Sequence, residues 1–255
     1  MSFQAEEALE ALEMLTSSLS ACPLEELDLS DNALGERGLR ACSAVLRNQP
    51  SLRKLSLQNV GLSEEACSSL SELLTLPESL QSLRLYNNMS GNDGAKAISS
   101  IIARASCLEE LRMASSRVGS DGGAALANAL ASATCLKKLD LSDNPLTEDA
   151  AEPLSQSLLQ HPLLQEVKLS ECALDADGGE AIMKTLSESA PDLEVLELGA
   201  NDLSEQASEW LEDSLENMRN LRTLKLHENE LGDKCASFSD SNSEYFSCVS
   251  QVCYD

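Results

Sequence analysis

Asp31, Asn59, Asn87 and Asp143 are short polar residues separated by 28 residues or a multiple of 28, each in the same local setting. With Ser115, Glu171, Ala200 and Glu228 they fill the eighth place of a recurring motif, where an extended segment passes into a loop. Such side chains accept hydrogen bonds, and the amides also donate them, so the row could hold or orient a polar group of another molecule. Asn59 differs from its neighbours. In the segment LQNVGL the motif's usual inward asparagine, one place further on, is Val60, so the amide stands in the exposed slot instead. A solvated turn asparagine and a partner-binding one both fit that pattern, and the residues alone leave the two readings open.

Bond-breaking chemistry has little to draw on. The sequence carries no GxxxxGK phosphate loop, no HExxH, no GxSxG and no Ser/His/Asp set. Its two histidines, His161 and His227, fall in different repeats, on a connecting turn and on the last complete strand. The GSDGG run at 119–123 follows a repeat strand and supplies a small-residue helix start, which explains its glycines without a phosphate. The nine cysteines are spread along the chain with neither a CxxC nor a Cys/His cluster, and read as reduced thiols filling the core. No catalytic site of its own, no metal and no cofactor is expected.

The elements that must position the polar row follow from the period. The run Leu24, Leu27, Leu29, Asn32, Leu34 fits LxxLxLxxNxL, and it returns from Leu52, Leu80, Leu108, Leu136, Leu164, Leu193 and Leu221, at intervals of 28 residues and once 29. The LxL stretch alternates as a short strand. The dozen residues after it carry apolar positions four apart, as in Gly94, Ile98, Ile102 or Gly122, Leu126, Leu130, a stripe that a helix buries against the strand layer. Stacked strands about 4.8 Å apart with bulkier helices outside must curve. The fold expected is therefore an α/β leucine-rich-repeat horseshoe solenoid of ribonuclease-inhibitor-like 28-residue repeats, with the parallel sheet concave and the helices convex. Asn32, Asn88, Asn144, Asn201 and Asn229 point inward to bind turn backbone.

Residues 1–233 form the expected solenoid, about eight repeats after a leading helix at residues 4 to 20. Residues 234–255 lose the stripe and read as a disordered Ser-rich tail. The sequence opens in mid-repeat and shows no recognisable polar cap, which suggests a piece or alternative product of a longer protein.

Charge selects among partners. Eighteen Lys and Arg against 43 Asp and Glu leave a formal charge of −25, which repels nucleic acid and anionic lipid and favours a basic protein surface. The start lacks a secretory pattern and no run of eighteen apolar residues exists, so a soluble, cytoplasmic monomer without membrane insertion is expected. On the concave floor the row Asp28, Ser56, Arg84, Arg112, Asp140, Lys168, Glu197, Lys225 mixes both signs, which suits protein contact.

The ordered segments LDLSDNALGERGLRA, LSLQNVGLSEEA, LRLYNNMSGNDGAKAI, SSRVGSDGGAALANAL, LKKLDLSDN and LEVLELGANDL resemble successive repeats of the Ran GTPase-activating protein family, in its plant form, from about residue 5 to residue 233. The resemblance implies stimulation of GTP hydrolysis by the small GTPase Ran in its GTP form, within nucleocytoplasmic transport. It implies a mechanism without an arginine finger, in which a rim asparagine holds Ran's own catalytic glutamine. That asparagine matches Asn59, which takes the catalytic role. A rim aspartate supporting Ran engagement matches Asp143, and Asp31 and Asn87 are expected as further partner contacts. The family also carries an upstream arginine, whose place is taken here by Met1, Ser2 and Phe3, and a Trp-Pro-Pro targeting domain not found in this sequence, on which a perinuclear location would depend. The alternative is a non-catalytic leucine-rich-repeat scaffold that binds protein through the concave floor, with Arg84, Arg112 and Lys168 as its contacts.

Overall fold

Each LxL segment becomes a three-residue strand and each apolar stripe a helix. The computed structural model describes residues 3–47, 49–232 and 251–253. A leading helix α1 (Phe3–Leu19) is followed by β1 (Glu26–Asp28) and the short helices α2 (Gly35–Ala41) and α3 (Ser43–Arg47). Strand and helix then alternate: β2 (Lys54–Ser56), α4 (Glu64–Leu73), β3 (Ser82–Arg84), α5 (Gly91–Ile102), β4 (Glu110–Arg112), α6 (Ser120–Leu130), β5 (Lys138–Asp140) and α7 (Thr147–Leu158). The series continues through β6 (Glu166–Lys168), α8 (Asp175–Ser189), β7 (Val195–Glu197), α9 (Ala207–Leu215) and β8 (Thr223–Lys225). The strands make one parallel sheet in sequence order, a horseshoe solenoid with helices on the other face. The segment expected as a disordered tail lies outside the described residues except Gln251–Cys253, which run as β9 along β8 with Val252 opposite Leu224.

The register repeats without a slip. Leu55, Leu83, Leu111, Leu139, Val167, Leu196 and Leu224 are partners across neighbouring strands, and all are fully buried, so one apolar column threads the sheet. The helical stripe packs onto it: Ile98, Ile102, Leu126, Leu130, Leu154, Leu158, Ile182 and Leu186 are all closed to solvent. The small residue that opens each stripe is needed against the preceding helix as much as against the strands. A methyl at Gly122 would stand 2.9 Å from Val118 and 3.0 Å from the Ala95 methyl of α5. At the first repeat α1 lies on α2 and α3, joined by the Thr16 hydroxyl donating to the Ala41 carbonyl at 2.9 Å. No helix among the described residues is long and apolar enough to cross a membrane.

The inward asparagines tie one repeat to the last. Asn144 is 1% exposed; its oxygen accepts from Ser116 N at 3.1 Å and Val118 N at 2.9 Å, and its nitrogen donates to the Met113 and Leu141 carbonyls at 2.9 and 2.8 Å. Asn88 does the same for Val60 N and Leu62 N. Asn201 does so for Cys172 N. Asn32, in the first repeat, is exposed and bonds only within its own turn.

Two expectations about single residue types change. Cys42, Cys67 and Cys172 are core thiols, with burial pushing their pKa values up to about 11, 11 and 12. Cys22 and Cys107 are exposed and Cys135 is half-buried, so core filling does not account for them. They sit at turns, where the apolar stripe makes no demand. His227 lies two residues past β8 rather than on it.

His161 is fully buried, and neither ring nitrogen has a hydrogen-bond partner among the described residues. Burial favours the neutral ring and holds its pKa below the ordinary 6.5. An unfolded chain binds that proton where the folded one does not, so stability is expected to fall as pH drops below 6.5, by at most about 1.4 kcal/mol per pH unit. Urea unfolding at pH 7.5 and 5.5 checks this: His161→Leu should remove the loss, and an unchanged loss in the variant would assign it to another group.

Candidate functional site

The eighth residue of every repeat adopts a left-handed backbone. Asp31, Asn59, Asn87, Ser115, Asp143, Glu171, Ala200 and Glu228 have φ between 50° and 59°. The cause is local. The chain leaves the strand and must turn at once to bring the next residue inward, and Asn and Asp tolerate that conformation better than other residues with a side chain. The backbone alone therefore favours the residue types found at Asp31, Asn59, Asn87 and Asp143.

The ninth place reads Asn32, Val60, Asn88, Ser116, Asn144, Cys172, Asn201 and Asn229, so Asn and a smaller or apolar residue alternate through most of the array. Val60 is fully buried, and the Leu57 carbonyl that an asparagine in its place would reach accepts instead from Asn88 Nδ2 of the next repeat, at 2.9 Å. The amide has not moved outward; its absence at 60 belongs to a two-repeat alternation shared with Ser116 and Cys172.

What distinguishes Asn59 is its surroundings. The exposed side chains of three successive repeats form a hydrogen-bonded run along the rim: Asn87 Nδ2 donates to Asn59 Oδ1 at 3.1 Å, and Asn59 Nδ2 donates to Asp31 Oδ1 at 3.1 Å. Among the described residues no hydrogen bond carries the run on to Ser115. Asn59 is held from both sides yet remains exposed, keeping one N–H and one oxygen lone pair free for another molecule.

Beside the run an open depression is lined by Asn59, Asn87, Met89, Ser115, Arg117 and Asp143. It brings together three of the four residues expected to act; Asp31 reaches it only through Asn59. Sequence reading missed Met89 and Tyr86, which are 51% and 46% exposed, and the exposed Arg117. Tyr86 holds a signal that could have been followed: its place in the other repeats is taken by Ser30, Gln58, Ala114, Ser142, Ser170, Gly199 and His227, none of them a large apolar ring. Exposed aromatic and Met side chains beside an Arg are the residue types that anchor protein interfaces.

The concave floor is engaged with itself. Glu110 is bonded by Arg84 at 2.8 Å and Arg112 at 2.6 Å, and Glu166 lies 3.4 Å from Arg112, 3.5 Å from Lys138 and 3.2 Å from Lys168. Glu197 takes Lys168 at 3.0 Å and Lys225 at 3.1 Å. Burial works to raise the Glu110 pKa, but hydrogen bonds from Arg84 and Ser82 and the Arg84 charge outweigh it and hold it below 4.5. Glu166 is held low in the same way, by Lys168 first. The carboxylates are 11–16% exposed and the Arg and Lys side chains lie over them. Arg84, Arg112 and Lys168 are therefore structural ion-pair members rather than an open basic floor awaiting a partner.

Comparison with known proteins bears on the repeats rather than on the rim. The leucine-rich-repeat family model matches residues 20–41, 104–127, 132–155 and 160–183. Among curated proteins, RAN GTPase-activating protein 1 and RAN GTPase-activating protein 2 of Arabidopsis thaliana are each 46% identical over 48 residues, 19% of this chain. That aligned stretch spans 9% of the length of each relative. Among solved structures, Leiomodin-1 Actin-Binding Site 2 superposes with a TM-score of 0.47 at 16% identity, over 61% of this chain and 86% of that one. The chain has a leucine-rich-repeat fold and is similar, over part of its length, to the RAN GTPase-activating proteins.

Proposed function

We propose that this protein stimulates GTP hydrolysis by a small GTPase, Ran in its GTP form, with the rim from Asp31 to Asp143 as the docking edge and Asn59 as the group that acts. The observation that carries the reading is the Asn59 amide, exposed at the rim and oriented from both sides by hydrogen bonds. A free N–H and a free carbonyl lone pair on one planar group complement another primary amide, donating to its oxygen and accepting from its nitrogen. Presented to the GTPase's own glutamine, Asn59 holds that side chain where it can orient the attacking water, and adds no charge of its own. Asp143 and Asn87 border the same depression and contact the partner beside the reacting groups. Met89 and Tyr86 supply apolar contact. Such an activity in the cytoplasm serves nucleocytoplasmic transport by removing the GTP form there.

A floor-binding scaffold requires Arg84, Arg112 and Lys168 to meet a partner, and each is already paired. Simple charge reversal would put like charges against Glu110, Glu166 or Glu197 and disturb the fold. Replacing Lys168 by methionine removes its charge from the floor without placing like charges together, because Glu166 keeps Arg112 and Lys138 and Glu197 keeps Lys225. Phosphate release from GTP-loaded Ran is expected to stay within about threefold of wild type, since the change lies apart from the rim. Loss of Ran binding by the folded variant would move the docking surface to the floor.

A further inference from the structure

The rim hydrogen bonds run in one sense, and Asp31 sets it. A carboxylate only accepts, so the group facing Asp31 Oδ1 at 3.1 Å is the nitrogen of Asn59. The Asn59 oxygen is thereby turned to the opposite side, where Asn87 Nδ2 donates to it at 3.1 Å. Reversing the amide would bring oxygen against carboxylate at one side and NH2 against NH2 at the other, replacing two attractive contacts with two repulsive ones.

We propose that Asp31 is a positioning residue that acts through Asn59: it fixes which end of the Asn59 amide lies where, so that the N–H and the lone pair left free are presented to the partner in one order only. This rests on the reading of Asn59 as the group that orients the partner's glutamine amide. An amide released from Asp31 can turn over and also swing among other side-chain rotamers, so only a small minority of molecules would meet that glutamine with donor and acceptor in the productive order. Asp31 does not line the depression beside the run. The effect assigned to it here passes through geometry at Asn59 and is separate from any contact Asp31 makes with the GTPase along the docking edge. The left-handed turn at Asp31, φ 59°, is a separate matter, because it would be satisfied by glycine or asparagine equally.

That separation makes the test clean. Asp31→Gly removes the carboxylate and suits the turn; Asp31→Asn also suits the turn and keeps a hydrogen-bonding group, but one that donates as well as accepts and so does not fix the sense of the run. With GTP-loaded Ran as substrate, Asp31→Gly is expected to lower kcat about tenfold, the effect of losing one hydrogen bond to a charged group, with KM within twofold. Asp31→Asn should recover only part of kcat, because its amide can anchor Asn59 in either sense, and full recovery would overturn the carboxylate's role in setting that sense. In the free protein, the Asn59 side-chain amide signal in a nitrogen–proton NMR spectrum should move in Asp31→Gly while that of buried Asn144 stays put. A rise in KM with kcat unchanged would overturn the proposal by making Asp31 a direct contact. So would kcat unchanged in Asp31→Gly while Asn59→Gly abolishes stimulation, an outcome that leaves the activator reading standing. No effect of Asn59→Gly on stimulation would remove both.

Discussion

Replacing Asn59 by glycine should cost the stimulated rate of GTP hydrolysis on the order of 10²–10³-fold while leaving the fold intact, the usual loss when one preorganised hydrogen-bonding group is taken from a reacting centre. Glycine is the informative choice because Asn59 sits at φ 51°, where glycine is unstrained. Alanine is the second choice, and this chain shows the turn accepts it, since Ala200 has the same φ of 51° at the equivalent place. Neither variant exposes core, because Asn59 is already exposed and its two hydrogen bonds are to other exposed side chains. Single-turnover phosphate release and a urea melt on the same preparations separate the two effects. A large rate loss with an unshifted midpoint is expected. An unchanged rate would show that the amide run is only a turn device of the left-handed rim.

The second large effect is on stability. Asn144→Ala should destabilise the solenoid by about 3 kcal/mol or more, because it strands two buried N–H groups, of Ser116 and Val118, and two buried carbonyls, of Met113 and Leu141. The same change at Asn32 is a built-in comparison: that side chain is exposed and bonds only the Leu29 and Ser30 carbonyls, so water replaces it, at a cost of about 1 kcal/mol or less. Urea midpoints of the two variants check the ranking, and equal losses would contradict the account of how the asparagines join the repeats.

Much of the architecture was legible because a solenoid is close to one-dimensional. Each repeat contacts its neighbours in a fixed register, so a 28-residue period in the leucines carries over directly into Leu55 opposite Leu83 opposite Leu111. The site was less legible, for two physical reasons. A left-handed turn and a partner-binding rim select the same residues, so Asn59 and Asp143 carry the same signature under either reading. And the alternation of Asn88 with Val60, or Asn144 with Ser116, becomes meaningful only once one amide is seen serving two repeats. The floor misled for a related reason. The row holding Arg84, Arg112 and Lys168 reads as mixed in sign, but their carboxylate partners stand in the row two places earlier: Glu110 and Glu166 on the same strands as Arg112 and Lys168, and Glu110 on the strand next to Arg84. Side chains two apart share a face of a strand, and long cations fold back over that distance. Tyr86 and Met89, the apolar part of the rim, carry no periodic signal, because neither side chain recurs along its row.

These pairs also set the acid limb of the stability curve. Glu110 and Glu166 have folded pKa values below 4.5, so the stability they contribute is present above that pH and is lost as pH falls through the lowered values. His161 acts earlier, from 6.5 downward.

The central claim is that this chain activates a GTPase, and the most direct measurement is single-turnover phosphate release from GTP-loaded Ran with saturating protein added. Acceleration of about 10³-fold or more over Ran alone is the result expected of an activator. Saturable binding with the intrinsic rate unchanged would contradict it, and would make the rim a recognition surface without catalytic effect.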